Sequence, residues 1–512
     1  MQQKYTTDVD YPSQYFHFQT PILMSAVAVL TGHAHSFPAS GFTYCDFGCG
    51  KALTLCLLAA CNPKGKFFGV DINTDHIASA QRLVEQVGLN NVTLIETDFH
   101  DLTQEDLPAL DYAAVTGVLS WVPDKTRSNL LQYVASRLKS GGLAFIHYLS
   151  MPGLTKTLAT TTLTQLLSNQ SSGDSASRAV DAVTELQNIL GKNPYLAFNQ
   201  SSPQTRDALG QQLKMEPNYL AHDVLNRNLQ PMWFHQVVDD LSQKGLEFVG
   251  NARPEMNAFG DLYQTSLTKP YHEFCKKYED SILRQEMMGL LLNLSVRMDI
   301  FSKKPARTDA HKVSAFPNLR IISLAGRSHE AVRKSTTGHV SINMFEPVYN
   351  EIMAATAEHD EEAELIFEEC ARKYGAAETR RALLNLLAVN LITFGPHSSS
   401  ASVGEQEFKP TEIDKYMLSE FLSESGQAPF PSKILGSCIR LSQLERILLT
   451  ALITEDPKDV WEMVVRYRIK LRTVESREIT SCDEFLKTLP AIMQSFQTQR
   501  LPELLRLGLL SS

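Results

Sequence analysis

No apolar run in this 512-residue chain is long enough to span a bilayer. The longest, around residues 22–30 and 53–61, fall well short of the roughly 20 residues that a membrane helix needs. The amino terminus, Met1-Gln2-Gln3-Lys4-Tyr5, has no charged head followed by an apolar stretch, so no signal peptide is expected and the chain reads as cytoplasmic. Positive charge is not in excess either. With 48 Lys+Arg against 57 Asp+Glu the net charge is −9, which argues against a nucleic-acid partner. Cys-x-x-Cys is missing among the 8 cysteines, and four of them, Cys45, Cys49, Cys56 and Cys61, crowd a segment that reads as buried strand and helix. They are expected to be small hydrophobes, with no metal and no disulfide framework. What remains, 43% hydrophobic and 21% charged residues, is the composition of a folded globular protein, and the length asks for two or three domains.

Residues 42–150 alternate β-rich runs with helical patterns. Strands are expected at 42–47, 66–72, 92–98, 111–118 and 143–149, with helices near 51–61, 74–88 and 124–139. Strands separated by helices of 10–15 residues read as right-handed crossovers in a parallel sheet. After Pro152-Gly153 the pattern becomes helical, with a Ser-rich joint at 168–177. Strands at 247–251 and 319–325 would return to the same sheet, leaving helical insertions at about 155–230 and 255–317. Residues 340–512 read as a helical C-terminal domain, winged-helix-like through a hairpin at 391–408. Residues 1–40 form an N-terminal arm and 41–330 the α/β domain.

Chemistry concentrates at Asp46-Phe47-Gly48-Cys49-Gly50-Lys51-Ala52, between the first strand and the first helix. The glycines let the backbone turn sharply against a ligand, and the following helix offers free N–H groups. Asp71 ends the second strand, where a carboxylate accepts hydrogen bonds from two ribose hydroxyls. Asp98 ends the third, followed by Phe99. Three carboxylates at successive strand ends should line one crevice. They would repel a pyrophosphate and attract an ammonium and a sulfonium, so the ligand expected is S-adenosyl-L-methionine rather than NAD.

The segments Asp46–Ala52, Gly69-Val70-Asp71-Ile72 and Thr97-Asp98-Phe99 resemble the first three cofactor motifs of class I S-adenosylmethionine-dependent methyltransferases. Gly117-Val118-Leu119-Ser120-Trp121-Val122-Pro123 resembles a segment of bacterial methyltransferases with an appended methyltransferase regulatory domain. So do Tyr11-Pro12 with Thr20-Pro21, and Tyr219-Leu220-Ala221-His222-Asp223 running on to Pro231-Met232-Trp233-Phe234. That group includes bacterial outer-membrane-protein lysine methyltransferases, and the resemblance covers roughly residues 8–325. It implies a Rossmann-like seven-stranded sheet with Asp46, Gly48, Gly50, Asp71, Ile72, Asp98, Phe99, Gly117 and Tyr11 on the cofactor. The chain departs from the family at Ala52, where a third glycine is common, at Leu149, where an amide is usual, and at Asp223, where glutamate is usual.

Methyl transfer from a sulfonium is a direct displacement, so the enzyme has to align a nucleophile and exclude water. A lysine acceptor must lose a proton first, which an apolar aromatic pocket promotes. Trp121 and Tyr148 are expected at the mouth of the crevice, holding an ammonium by cation–π attraction. His222 and Asp223 are the acid/base candidates. Tyr11, His17, Phe18 and Gln19 belong to an arm that folds over the cofactor, and Arg297 is expected to be a surface ion-pair residue. The acceptor is a protein lysine or else a small molecule; a regulator that senses the cofactor without catalysis is a third reading. A homodimer is compatible with all three.

Overall fold

A computed structural model describes residues 8–38, 40–191, 195–201, 203–262, 265–304, 306–307, 316–324, 334–337, 340–343, 346–358, 362–397, 409–454, 457–466, 469 and 479–509. Its centre is a seven-stranded sheet. The five parallel strands are β1 (Thr43–Phe47), β2 (Lys66–Asp71), β3 (Val92–Glu96), β4 (Leu110–Val115) and β5 (Leu138–Leu149). They are joined by β6 (Leu246–Asn251) and by β7 (Val296–Lys303), which runs antiparallel to both β5 and β6. In space the order is β3-β2-β1-β4-β5-β7-β6. The parallel half is what the alternating pattern predicts, and the seven-stranded Rossmann-like whole is what the family resemblance implies.

Central strands covered on both faces bury nearly every side chain, and β1 and β4 do so. The covering helices are α1 (Pro21–Leu30), α2 (Leu53–Cys61), α3 (Thr74–Gln86) and α4 (Asp124–Arg137). Helix α3 starts on an Asn73 cap whose side chain accepts from Asp75 N and His76 N. Strand order reverses between β1 and β4, which opens a crevice at the carboxyl ends of those two strands.

The first insertion follows β5: α5 (Thr155–Ser168), α6 (Ser175–Gly191), α7 (Pro203–Gln212) and α8 (Pro217–Val224). These helices share a small core of Ala179, Val183, Leu186, Leu209 and Leu220, against which Val9 of the arm packs. The Ser-rich joint shrinks to residues 169–174. The second insertion, residues 254–292, ends earlier than the sequence suggests: 296–303 is strand, not helix. Arg297, expected in a surface ion pair, is instead buried and paired with the buried Asp299.

The strand expected at 319–325 is Leu319–Ser323, and it does not return to the sheet. It pairs antiparallel with Ile392–Pro396 of the C-terminal half. Of the hairpin expected at 391–408, Ile392–Pro396 is a strand, and residues 398–408 lie outside the described ones. A hairpin forms from Ala428–Ser432 and Ser437–Leu441, among helices that include Ala363–Tyr374, Ala376–Ala388 and Gln443–Ile453. Its turn docks on α2: Cys61 Sγ donates to Ser437 O (3.2 Å) and Asn62 Nδ2 to Gly436 O (3.1 Å). The leucine-rich stretch from Leu441 fills the core there. All eight cysteines are free thiols. Among the described residues no helix is long and apolar enough to cross a membrane.

Candidate active site

Strand β1 delivers Asp46 to the crevice, and the turn after it is tied down from β2. Gly48 N and Cys49 N both donate to Val70 O, at 2.7 and 3.1 Å. Gly48 has φ +82°, and a Cβ on it would lie 2.3 Å from Val118 Cγ2. A Cβ on Gly50, also left-handed, would meet open space. Ala52 itself is left-handed (φ +58°), where the family prefers glycine, and carries a strain of about 1–2 kcal/mol.

Asp71, at the end of β2, braces the turn from the side. Its Oδ2 accepts from Gly50 N and its Oδ1 from Asn73 N, each at 2.9 Å. Both oxygens keep a free lone pair for a diol. The buried His76 lines the same cleft, with Nδ1 3.6 Å from Asp71 Oδ1. Asp46 is buried too. Its Oδ2 accepts from Gln19 Nε2 (2.8 Å), while Oδ1 has no hydrogen-bond partner. Burial pushes its carboxyl up to about 7, the Gln19 bond opposes this, and the charge of Asp71 adds to it.

These groups line one cleft enclosing ≈ 1030 Å³, together with Tyr11, Phe16, Ile72, Phe99, Thr116, Gly117 and Trp121. Its cation, Lys51, is already paired with Asp10. An ammonium or sulfonium suits such walls and a pyrophosphate does not. Asp98 stands apart from the other two carboxylates. It lines an adjoining groove, and its Oδ1 accepts from His100 N (2.9 Å). Cleft and groove share Ile72, Phe99, Trp121 and Val122.

Trp121 thus sits at the junction of the two spaces. Its loop is held from both sides: Ser120 Oγ accepts from Leu149 N on β5 (2.9 Å), and Asn226 Nδ2 donates to Trp121 O (3.1 Å). Tyr148 is not at the mouth. It is fully buried, its hydroxyl donating to Asp299 Oδ2 (2.7 Å), and Asp299 also takes two bonds from Arg297 and one from Asn251. The Arg297 guanidinium stacks 4.1 Å over the Phe234 ring. Strand alternation explains the miss. Tyr148 faces the core shared with Ala144 and Ile146, and its neighbour His147 turns the other way, accepting from Gly117 N (3.1 Å).

His222 and Asp223 line neither space. His222 Nε2 lies 3.1 Å from Val9 O and its ring meets Tyr11 edge-on at 5.1 Å, so α8 grips the arm. Asp223 is half-buried, its carboxyl pushed up to about 6 by burial. The sequence reading missed His76 and Thr116 as cleft residues. His76 carried a signal, because it follows the Asn73 cap two residues beyond the cofactor carboxylate. Thr116 carried none.

Residues 38–232 match the family model described as a methyltransferase domain, and residues 216–303 match that of a predicted methyltransferase regulatory domain. The chain carries a methyltransferase domain. Its regulatory-domain match runs from α8, which holds the arm, through the last two strands of the sheet. An uncharacterized protein of Synechocystis sp. is 24% identical over 516 residues, 99% of either chain. A tRNA (guanine-N(7)-)-methyltransferase of Rubrobacter xylanophilus is 33% identical over 79 residues, 15% of this chain and 34% of that one. The crystal structure of PKMT2 from Rickettsia typhi in complex with AdoHcy superposes with a TM-score of 0.70 at 16% identity, covering 98% of this chain and 100% of that one. It shares the fold from end to end.

Proposed function

We propose that this methyltransferase acts on lysine side chains of a protein. The methyl donor is S-adenosylmethionine, which supplies an electrophilic methyl group on a sulfonium. The chain's own residues fit that donor: Asp71 has lone pairs for the ribose, Asp46 sits among walls suited to a cationic head, and Ile72 and Phe99 offer apolar surface to an adenine.

The observation that carries the acceptor assignment is the junction at Trp121. Beyond it the cleft runs into a second, open-sided groove walled by α5, α6 and residues 225–228, where a small-molecule enzyme would close over its acceptor. A lysine is long enough to reach through such a junction while its own backbone stays in the groove. The Trp121 face attracts its ammonium, and the low-dielectric surroundings favour the neutral amine that must attack. The whole-chain architecture is that of PKMT2, whose structure is a complex with AdoHcy, and the reading keeps the enzyme in the cytoplasm.

Incubation with radiolabelled S-adenosylmethionine and a fractionated bacterial lysate tests this. Label is expected in protein and, after digestion, on methylated lysine. Label confined to small molecules refutes the acceptor class.

A further inference from the structure

The arm, residues 8–20, is fastened to elements on several sides of the cleft. Asp8 Oδ2 accepts from Ser175 N of α6 (2.9 Å), and Val9 O meets His222 of α8. Asp10 pairs with Lys51 of the glycine turn, and Phe16 N donates to Thr54 Oγ1 of α2 (3.0 Å). Tyr15 OH accepts from Cys438 N of the C-terminal hairpin (3.3 Å). At its inner end lies Gln19, with no exposed surface.

The Gln19 amide is held on three sides. Nε2 donates to Asp46 Oδ2 (2.8 Å) and to Tyr44 OH (3.0 Å), and Oε1 accepts from Thr116 Oγ1 (2.6 Å). Rotated by half a turn, the amide would set its carbonyl oxygen against the Asp46 carboxylate, so the donor faces Asp46 whenever that group is ionised. This donor arrives only with the arm, because residues 8–20 precede β1 and reach Asp46 from outside the sheet.

We propose that Gln19 is a positioning residue for methyl-donor binding: seating the arm delivers the hydrogen bond that holds Asp46 as a carboxylate facing the donor's cationic amino-acid head. Arm closure and donor binding are then one coupled event. The proposal rests on the cleft being the donor site. The groups facing Asp46 are Gln19 from the arm, Tyr44 and Cys45 on its own strand, Cys49 in the glycine turn and Asp71 from β2. Of these Gln19 favours the ionised form, whereas Asp71 opposes it.

The full-length protein and its Gln19→Leu, Thr116→Val and Thr116→Ser variants are titrated with S-adenosylmethionine by calorimetry between pH 5.5 and 8.5, alongside thermal melts. Gln19→Leu should weaken binding at neutral pH by about tenfold or more, the scale of a hydrogen bond to a charged group. It should also move the pH at which affinity breaks upward by about half a unit or more. Thr116→Val, which frees the amide to rotate, should shift both in the same direction by a smaller amount, and Thr116→Ser should restore them. A Gln19→Leu protein that melts lower but keeps the wild-type affinity and pH midpoint has lost only packing, and that overturns the proposal. Should Gln19→Leu fail to fold, an unchanged midpoint in Thr116→Val overturns it equally. Absence of binding by the wild type at every pH would sink the cleft assignment itself, and is told apart because the variants would then never be compared.

Discussion

Asp71 and Asp46 are both carboxylates at strand ends, but their surroundings give them different work. Asp71 is tied into the backbone of the glycine turn, so its removal loosens that turn as well as taking away the lone pairs proposed for the ribose. Asp71→Ala should weaken S-adenosylmethionine binding at least tenfold by calorimetry, about 1.4 kcal/mol or more. Asp46 is buried, with one oxygen bonded to Gln19 and the other unpartnered. The folded-state carboxyl of Asp46, pushed up to about 7 from the ordinary carboxylate range, keeps a proton that the unfolded chain has lost. Ionising it therefore costs stability as pH rises from about 4 to 7. A cationic ligand prefers the carboxylate, so binding should release a proton in that window. Affinity should fall as pH drops below about 7, by up to tenfold per unit. Buffers of different ionisation enthalpy would reveal the released proton, and a flat pH profile would refute the pairing.

The Tyr148–Asp299–Arg297 cluster shows how a correct residue type can receive a wrong role. An aromatic one residue from the end of a strand beside the crevice looked like a substrate contact. Its hydroxyl instead helps satisfy a carboxylate that neutralises a buried guanidinium. Tyr148→Phe should then cost stability, about 1.5–3 kcal/mol for a lost bond to a charged group, while turnover of the folded enzyme holds. Asp299→Ala should be far worse, about 3–5 kcal/mol, because Arg297 is left buried and unpaired. Urea melts set beside initial rates separate the two cases; a drop in turnover without a loss of stability would return Tyr148 to the active site.

At the scale of elements, the parallel half of the sheet was legible because its strands and helices carry plain local signals. Runs such as Tyr44-Cys45-Asp46-Phe47 end in glycine, and α3 opens on an Asn cap. Strand β7 was not legible, since a buried ion pair at alternate positions imitates a solvated face. Nor was the pairing of Leu319–Ser323 with Ile392–Pro396, because local pattern says nothing about a partner some seventy residues away. In the site, most of the motif residues could be found from the chain alone, though Asp98 lies in the adjoining groove, whereas Thr116 carries no local signal and only the fold sets it in the cleft beside Gln19. The glycine turn illustrates the same limit in reverse. Sequence shows that Gly48 permits a turn, and the fold adds that Val118 leaves no room beside it. Gly48→Ala meets both a left-handed backbone and a 2.3 Å contact, and should destabilise by roughly 2–4 kcal/mol, read as a lower denaturant midpoint.

For the whole molecule, α2 decides how separable the halves are. The helix is apolar on every side, with Leu53, Leu55, Cys56, Leu57, Leu58, Ala59 and Cys61 all buried. A helix of that kind has no face to offer water. One side lies on the sheet, and the other is covered by the C-terminal hairpin through Cys61 and Asn62. The same hydrophobic cluster runs on without a break from Leu55 to Phe430, Leu441 and Leu449. The C-terminal half is thus part of the fold that shapes the donor cleft, because α2 begins directly after the glycine turn and also anchors the arm through Thr54. A fragment ending at residue 304 keeps every strand of the sheet but uncovers this helix. It should be insoluble, or melt roughly 10 °C or more below the full chain, and bind S-adenosylmethionine poorly even though all the cofactor motifs are present. A soluble fragment with native melting and native affinity would show instead that the C-terminal half is an appendage, and that the shared core contributes little to the cleft.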